Sequence, residues 1–577
     1  MVICGLKLTH DGTVALLDGE ELVFSVEMEK LANLPRYSTI EDLEVVPRVL
    51  AGFGYAVTDV EEWVIDGWSD AYSLPRVNGG EQIAIALGPY RETATAPDLF
   101  RPSVGGTLPI GDRTVAYTSY PHAAGHAASV YATSPFAIRG ESSYVLVWDG
   151  AMFPRLYLVE PGRGAVGLGV PFPLIGHSYA LMAQHFGPFK NGPKPVGVND
   201  LTVAGKLMAY IALGKPRESL LEILSQVFHE RFEDDSRQAR MYRAHAGSAA
   251  PFIQASMPPL REFFQTVGAE SQRMAVPDED VLASVHQFMQ DLLAERITSM
   301  VADRLDGPRN LCFGGGCALN IKWNSALRAL PVFDKMWVPP FPNDSGSALG
   351  AAILGRFHHA GVGPIQWHTR LGPALGTATG APEGWSATLC GAAQLASELH
   401  VTGSPVVVLH GRAELGPRAL GGRSILAAAS RASMRDELNR IKGREHYRPI
   451  APACLVEYAQ EIFDPGTPDP HMLFDHAVRT HWTHRIPAVV HLDGSARLQT
   501  VGPDDDPFLH EVLREYHALS GIPVLCNTSA NFNGSGFFPD LDSAVRWGQV
   551  DQIWCAGRLY RRVTGPARGS SGSRASN

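Results

Sequence analysis

The chain has 577 residues, 45% hydrophobic and 19% charged, with a formal net charge of −10. That length calls for more than one domain, and the composition is that of a globular protein. The acidic balance leaves no basic footprint for nucleic acid, and no stretch approaches the ~18 apolar residues of a membrane span, so neither partner is expected. The seven cysteines are odd in number and scattered, which points to reduced packing residues rather than a disulfide framework. The opening MVICGLKLTHDG lacks a charged region followed by an apolar core, and a cytoplasmic location is expected. Composition leaves the oligomeric state open.

Met1 to Lys7 reads as an apolar strand, His10-Asp11-Gly12 as a turn and Val14 to Leu17 as a second strand. Asp18-Gly19 then turns the chain into a third strand over Glu21 to Val26. Three strands joined in this way open an actin-like, ribonuclease-H-like fold. His10 could serve as a general base near neutral pH, or simply hold its turn. Further on, Pro121 suits a helix start, and His122 and His126 stand at i and i+4 on one helix face, where both imidazoles can reach one metal ion.

Tyr144 to Trp148 is another buried strand, ending at Asp149-Gly150. Asp149 and Asp344 both follow apolar strand-like runs and could complete a histidine–carboxylate site suited to Fe2+, Mn2+ or Zn2+. Two helix histidines satisfied by hydrogen bonds fit the same spacing. Val281 to Leu305 has helical apolar periodicity, and Leu311-Cys312-Phe313 is a strand leading into Gly314-Gly315-Gly316 and on to Asn320. Glycines there could bring backbone N–H groups onto phosphate, or serve tight turns and close packing. A proline-rich turn over Val338 to Pro342 precedes Asp344, and the small-residue run from Ser347 to Leu354 begins a helix.

From His358 to Trp385 the chain is rich in Gly, Pro and Ala and weakly periodic. An inter-domain linker is placed there, over 361–385, between a first domain at 1–360 and a second α/β domain at 386–563. The Gly/Ser-rich tail 564–577 is expected to be disordered, and no internal repeat is evident. The second domain carries Arg412, Arg418 and Arg423 in one Gly-bearing run, then Lys442, Arg444 and Arg448, then Arg497, and a polar Asn527-Thr528-Ser529 turn. Arginine forks match phosphate oxygens bidentately, though any single arginine is equally served by solvent.

The runs KLTHDG, VIDGW, SYPHAAGHAAS, VWDGAMFPRLY, GGGCALNIKWNSALR, VPPFPNDSGSALGAA, GRAELGPRALGGRSILAA and VVHLDGSARLQT together resemble the NodU/CmcH carbamoyltransferase family, nearest its nodulation branch. The resemblance implies an ATPase-related N-terminal domain similar to threonylcarbamoyl transferases, and a YrdC-like C-terminal domain. It implies an O-carbamoyltransferase with ATP, its Mg2+, and carbamoyl phosphate as co-substrates. Carbamoyl adenylate would form in the second domain and be spent on a hydroxyl in the first.

Position by position, the resemblance assigns His122, His126, Asp149 and Asp344 to a metal, Fe2+ foremost with Zn2+ or Mn2+ open. It assigns His10 to the acceptor hydroxyl, and Lys206, Gly314, Gly315, Gly316 and Asn320 to the nucleotide. Arg418, Arg423, Lys442, Arg448, Arg497, Asn527 and Ser529 fall to the adenylate-forming site. One departure is Ala530-Asn531, where the antibiotic branch reads Phe-Asn before a Pro-Ile run. The expected acceptor is a small-molecule glycoside, a sugar hydroxyl of a glycosylated natural product, with the 6-hydroxyl of a lipo-chitooligosaccharide as the alternative. A tRNA threonylcarbamoyl transferase and a non-enzymatic actin-like ATP-binding protein fit less well, given the acidic charge and the arginine-rich segments.

Overall fold

The computed structural model describes residues 1–68, 72–92, 99–190, 198–233, 241, 249–302, 304, 307–378 and 380–563. The tail expected to be disordered, 564–577, lies outside the described residues.

Side chains alternate along the first three strands, Val2–Lys7, Thr13–Asp18 and Glu21–Glu27. Cys4, Leu6, Val14, Leu16, Phe24 and Val26 enter one apolar cluster, while Ile3, Ala15, Leu17 and Leu22 enter another. Both faces are therefore covered, and the three strands pair as an antiparallel meander. Glu62–Asp66 adds parallel to the first strand and Arg113–Tyr120 parallel to that, with Val104–Ile110 at the edge.

A second sheet repeats the plan. Ser143–Val147, Arg155–Glu160 and Gly164–Gly169 form a meander, Asn310–Gly314 lies parallel to the first of them, and Lys335–Trp337 follows. Both sheets thus share the order third, second, first, fourth, with a further parallel strand beyond, the repeated plan expected of an actin-like fold. Helices His122–Ala132 and Ser347–Ala360 fill the space between the sheets. They touch backbone to backbone, since a Cβ on Gly350 would lie 2.1 Å from Gly125 O.

After Gly361 the chain runs along the edge of the first sheet. Gln366 N donates to Glu20 O at 2.7 Å, Leu22 N to Gln366 O at 2.9 Å, and Ser25 N to Leu371 O at 3.0 Å. It then enters a mixed eight-stranded sheet running from Trp385–Leu389 at one edge to Gln499–Val501 at the other. Ala392–Thr402 and Pro507–Ser520 cover one face of that sheet, Ser433–Ile441 and Leu541–Trp547 the other. All seven cysteines are free, and among the described residues no helix is long and apolar enough to cross a membrane.

A buried polar seam joins the two halves. Lys30 Nζ lies 2.6 Å from Glu27 Oε1 and donates at 2.7 Å to both Glu414 O and Gly416 O. Glu27 Oε1 also accepts from Gly416 N at 3.0 Å. Gly416 has φ +76°, and a Cβ there would lie 2.0 Å from Pro340 O, so only glycine closes this seam. Lys30 and Glu27 are 1% and 4% exposed, so removing one charge strands the other. Lys30→Met is expected to destabilise the fold by about 3–5 kcal/mol, with most of that recovered in the Lys30→Met/Glu27→Gln pair, as read from thermal and urea midpoints.

Candidate functional site

Helix His122–Ala132 presents His122 and His126 one turn apart, and its entire length is buried. Asp149 follows strand Ser143–Val147, and Asp344 opens the turn Asp344–Gly346. The ligand atoms of these four buried residues all lie within 4.8 Å of one another. The two histidine Nε2 atoms are 3.1 Å apart, each stands 3.4 Å from Asp344 Oδ1, and His122 Nε2 is 3.9 Å from Asp149 Oδ2. Atoms bonded to one cation at about 2.0–2.2 Å sit roughly 3 Å from each other, so the spacing fits a metal.

The donor chemistry fits as well. His122 Nδ1 lies 2.7 Å from Asp66 Oδ2, which fixes the tautomer and leaves Nε2 with its lone pair. Lys7 Nζ donates to Asp66 Oδ2 at 2.9 Å and lies 3.1 Å from Asp344 Oδ2. Asp149 accepts from the Tyr90 hydroxyl on one oxygen and from Gly316 N at 2.6 Å on the other. Burial opposes charge on Asp344, yet Lys7, His122 and His10 hold its carboxyl well below the usual range. Burial is the strongest single influence on the His122 ring and opposes its charge, but Asp66, Asp344 and Asp149 together raise the group well above an ordinary histidine, so a cation would take the place of a proton on Nε2. His10 stands beside this quartet, its Nδ1 2.8 Å from Asp11 Oδ2 and its Nε2 3.5 Å from Asp344 Oδ2.

The glycine run reaches the same place by a different route than expected. Gly314 ends its strand, while Gly315, at φ +90°, donates its N–H to Pro342 O at 2.7 Å. With Gly316 N on Asp149, both amides are engaged inside the chain rather than turned toward a phosphate. Asn320 caps the helix Ile321–Arg328 through Oδ1, and its buried Nδ2 has no partner among the described residues. Lys206 is removed from this loop; its Nζ pairs with Glu445 Oε1 of the second half at 2.7 Å.

A second cavity opens between the halves. It is lined by Arg36, Arg418, Arg444, Arg448 and Arg497, with Asn527, Thr528 and Ser529 of the polar turn. Its one carboxylate, Asp475, is already paired with Lys322 at 3.0 Å. Burial and then the neighbouring guanidiniums of Arg497, Arg36 and Arg448 drive Arg418 well below the usual arginine range. Burial lowers Arg497 to about 10 and Arg444 to about 9. The Nε atoms of Arg418 and Arg497 are buried with no hydrogen-bond partner among the described residues. Such a concentration of stranded donors is a receptor for a polyanion.

Five of the seven expected residues, Arg418, Arg448, Arg497, Asn527 and Ser529, line this cavity; two do not. Arg423 donates to His410 O at 2.8 Å, Gly422 O at 2.9 Å and Gly411 O at 3.1 Å, and is a buried brace of its own strand. Lys442 stands behind the wall, its Nζ on Ser529 O at 2.7 Å and Asn531 Oδ1 at 2.5 Å, where it holds the polar turn in shape. Sequence reasoning missed Lys7, Asp66, Tyr90 and Arg36. Asp66 ends the apolar run Trp63-Val64-Ile65, the signal that singled out Asp149. Arg36 carried no signal, because its loop meets the cavity only through the fold.

Comparison with known proteins follows from this geometry. A family model described as carbamoyltransferase N-terminus matches residues 2–79 and 109–353, and one described as carbamoyltransferase C-terminus matches 396–555. Nodulation protein U of Rhizobium tropici is 49% identical over 566 residues, 97% of this chain and 96% of its own. The 3'-hydroxymethylcephem-O-carbamoyltransferase of Streptomyces clavuligerus is 32% identical over 582 residues, 98% of this chain and all of its own. Among solved structures, the activator of 2-hydroxyisocaproyl-CoA dehydratase from Clostridium difficile aligns over 62% of this chain and 95% of its own, at TM-score 0.32 and 14% identity, too distant a likeness to weigh.

Asp66→Asn leaves all four ligands in place and is expected to weaken metal binding by about 10–100-fold, whereas His122→Ala or Asp344→Asn should abolish it. Titration of the metal-free protein with Fe2+, Zn2+ and Mn2+, followed by elemental analysis, reads both effects.

Proposed function

Because the chain belongs to the carbamoyltransferase family and is an O-carbamoyltransferase, we propose that it works through two sites, one making an activated carbamoyl group and the other spending it. The observation that carries this reading is the arginine cavity with its unpartnered Nε atoms at Arg418 and Arg497. We read the second half as a YrdC-like unit that takes carbamoyl phosphate and ATP with its Mg2+. There the guanidinium forks hold phosphate oxygens, water releases carbamate and inorganic phosphate from carbamoyl phosphate, a carbamate oxygen attacks the α-phosphorus of ATP, and pyrophosphate leaves, giving carbamoyl adenylate.

The mixed anhydride then passes to the buried histidine–aspartate site. The route runs along 316–322, whose first residue donates to Asp149 and whose last lines the arginine cavity. A divalent cation held by His122, His126, Asp149 and Asp344, Fe2+ ahead of Zn2+ or Mn2+, supplies Lewis-acid polarisation. The acceptor oxygen bonds to the carbonyl carbon, the bond to the AMP oxygen breaks, and AMP departs. His10 takes the hydroxyl proton on Nε2, since its Nδ1 faces Asp11. Burial keeps water from the labile anhydride.

We place the enzyme in the cytoplasm and its acceptor among sugar hydroxyls of small glycosides. A glycosylated natural product stands first and a lipo-chitooligosaccharide second; relatives named nodulation protein U at 44–49% identity, against 32% for the cephem enzyme, support keeping the second.

Incubation with ATP, carbamoyl phosphate and a panel of lipo-chitooligosaccharides, glycosylated macrolides and hydroxymethylcephems should add one carbamoyl mass to a sugar-bearing member. His10→Ala should cut transfer by about 10²–10⁴-fold while carbamoyl-phosphate-dependent pyrophosphate release persists. Arg497→Met should lose pyrophosphate release itself. A His10→Ala protein that is folded yet silent in both assays would refute the separation of sites.

A further inference from the structure

His491 lies in the wall of the arginine cavity, and no step above uses it. It opens a tight turn: His491 N donates to Ser495 O at 2.8 Å, and Gly494 N donates back to His491 O at 3.0 Å. Gly494, at φ +80°, closes the turn. The turn sets the Asp493 carboxylate against the imidazole, with His491 Nδ1 3.4 Å from Asp493 Oδ1.

That carboxylate cannot swing away. Its Oδ1 accepts from Ser495 Oγ at 2.7 Å and from Ser495 N at 3.1 Å, and its Oδ2 from Lys322 Nζ at 2.7 Å. A proton on Nδ1 faces this carboxylate, and in that tautomer Nε2 carries the lone pair. His491 is 8% exposed, and its Nε2 is buried with no hydrogen-bond partner among the described residues. A histidine in the wall of the arginine cavity, set against a fixed carboxylate and with its second nitrogen unpartnered, has the layout of a general base once a substrate and its water fill that cavity.

The reaction proposed for this cavity leaves one chemical step without a residue. Carbamate must be released from carbamoyl phosphate before it can attack ATP, and that release consumes a water molecule and frees a proton. We propose that His491 is the general base for this hydrolysis and Asp493 its positioning residue. The inference rests on reading the cavity as the carbamoyl phosphate site.

A water oxygen bonds to the carbonyl carbon as its proton passes to His491 Nε2. The carbon–oxygen bond to the phosphate breaks, and its electron pair leaves with the phosphate. The arginine forks make phosphate the better leaving group, which directs attack to carbon rather than phosphorus. The carbamic acid formed loses its second proton to solvent and remains as carbamate.

The test feeds the enzyme on either side of the proposed step. His491→Ala and His491→Gln, in the full chain, should release phosphate from carbamoyl phosphate about 10²–10⁴-fold more slowly than the wild type. Ammonium carbamate with ATP bypasses the step and should rescue pyrophosphate release in both variants. Unchanged phosphate release in either folded variant overturns the proposal. So does failure of carbamate to rescue, since that marks a structural role. A wild-type enzyme that releases neither phosphate nor pyrophosphate overturns the adenylate reading, and this one falls with it.

Discussion

Lys7 ends the first strand with its ammonium between two carboxylates, Asp66 Oδ2 at 2.9 Å and Asp344 Oδ2 at 3.1 Å, and is 1% exposed. Asp66 belongs to the first of the duplicated units and Asp344 to the second. One buried cation therefore pins both units at the cleft between them. The same contact orders the histidine–aspartate quartet, because Asp66 orients His122 while Asp344 faces both imidazoles. A neutral side chain at position 7 would leave two buried carboxylates facing each other, so the pairing of the two sheets and the histidine–aspartate cluster share one electrostatic foundation.

The two sites are opposite in polarity. The front one gathers lone pairs that want a cation, and the rear one gathers guanidinium donors that want an anion. Neither is satisfied by the protein alone, which is the physical mark of a binding site as distinct from a structural network. Between them runs 314–322, whose Gly316 serves the carboxylate of Asp149 and whose end borders the arginines. Its glycine content is explained by close backbone approach: a Cβ on Gly315 would lie 2.4 Å from Trp148 O.

Much of this was legible in the chain itself. The i, i+4 histidines had a face in common whatever the fold, and aspartates at the ends of apolar strands mark loop-borne ligands. The opening meander was readable from turn residues and alternation. The duplicated sheet was not, because the repeat lies in connectivity. Sequence alone does not separate Arg423 and Lys442 from ligands, because a buried cation bracing carbonyls and one gripping phosphate look alike in the chain. Arg36 and Lys7 were missed for the reverse reason: a single cation acquires meaning only from partners brought to it by the fold, Asp66 and Asp344 in the case of Lys7.

The seam at Lys30 has a consequence for how such enzymes diversify. Its donors and acceptors alternate between Glu27 and the 414–416 stretch, and Gly416 lies against the backbone of Pro340. A recombinant that borrowed its rear portion from a distant cousin would inherit mismatched halves of this lock. Exchange of whole portions is thereby penalised, and each half is free to vary only away from Glu27, Lys30 and the 414–416 stretch.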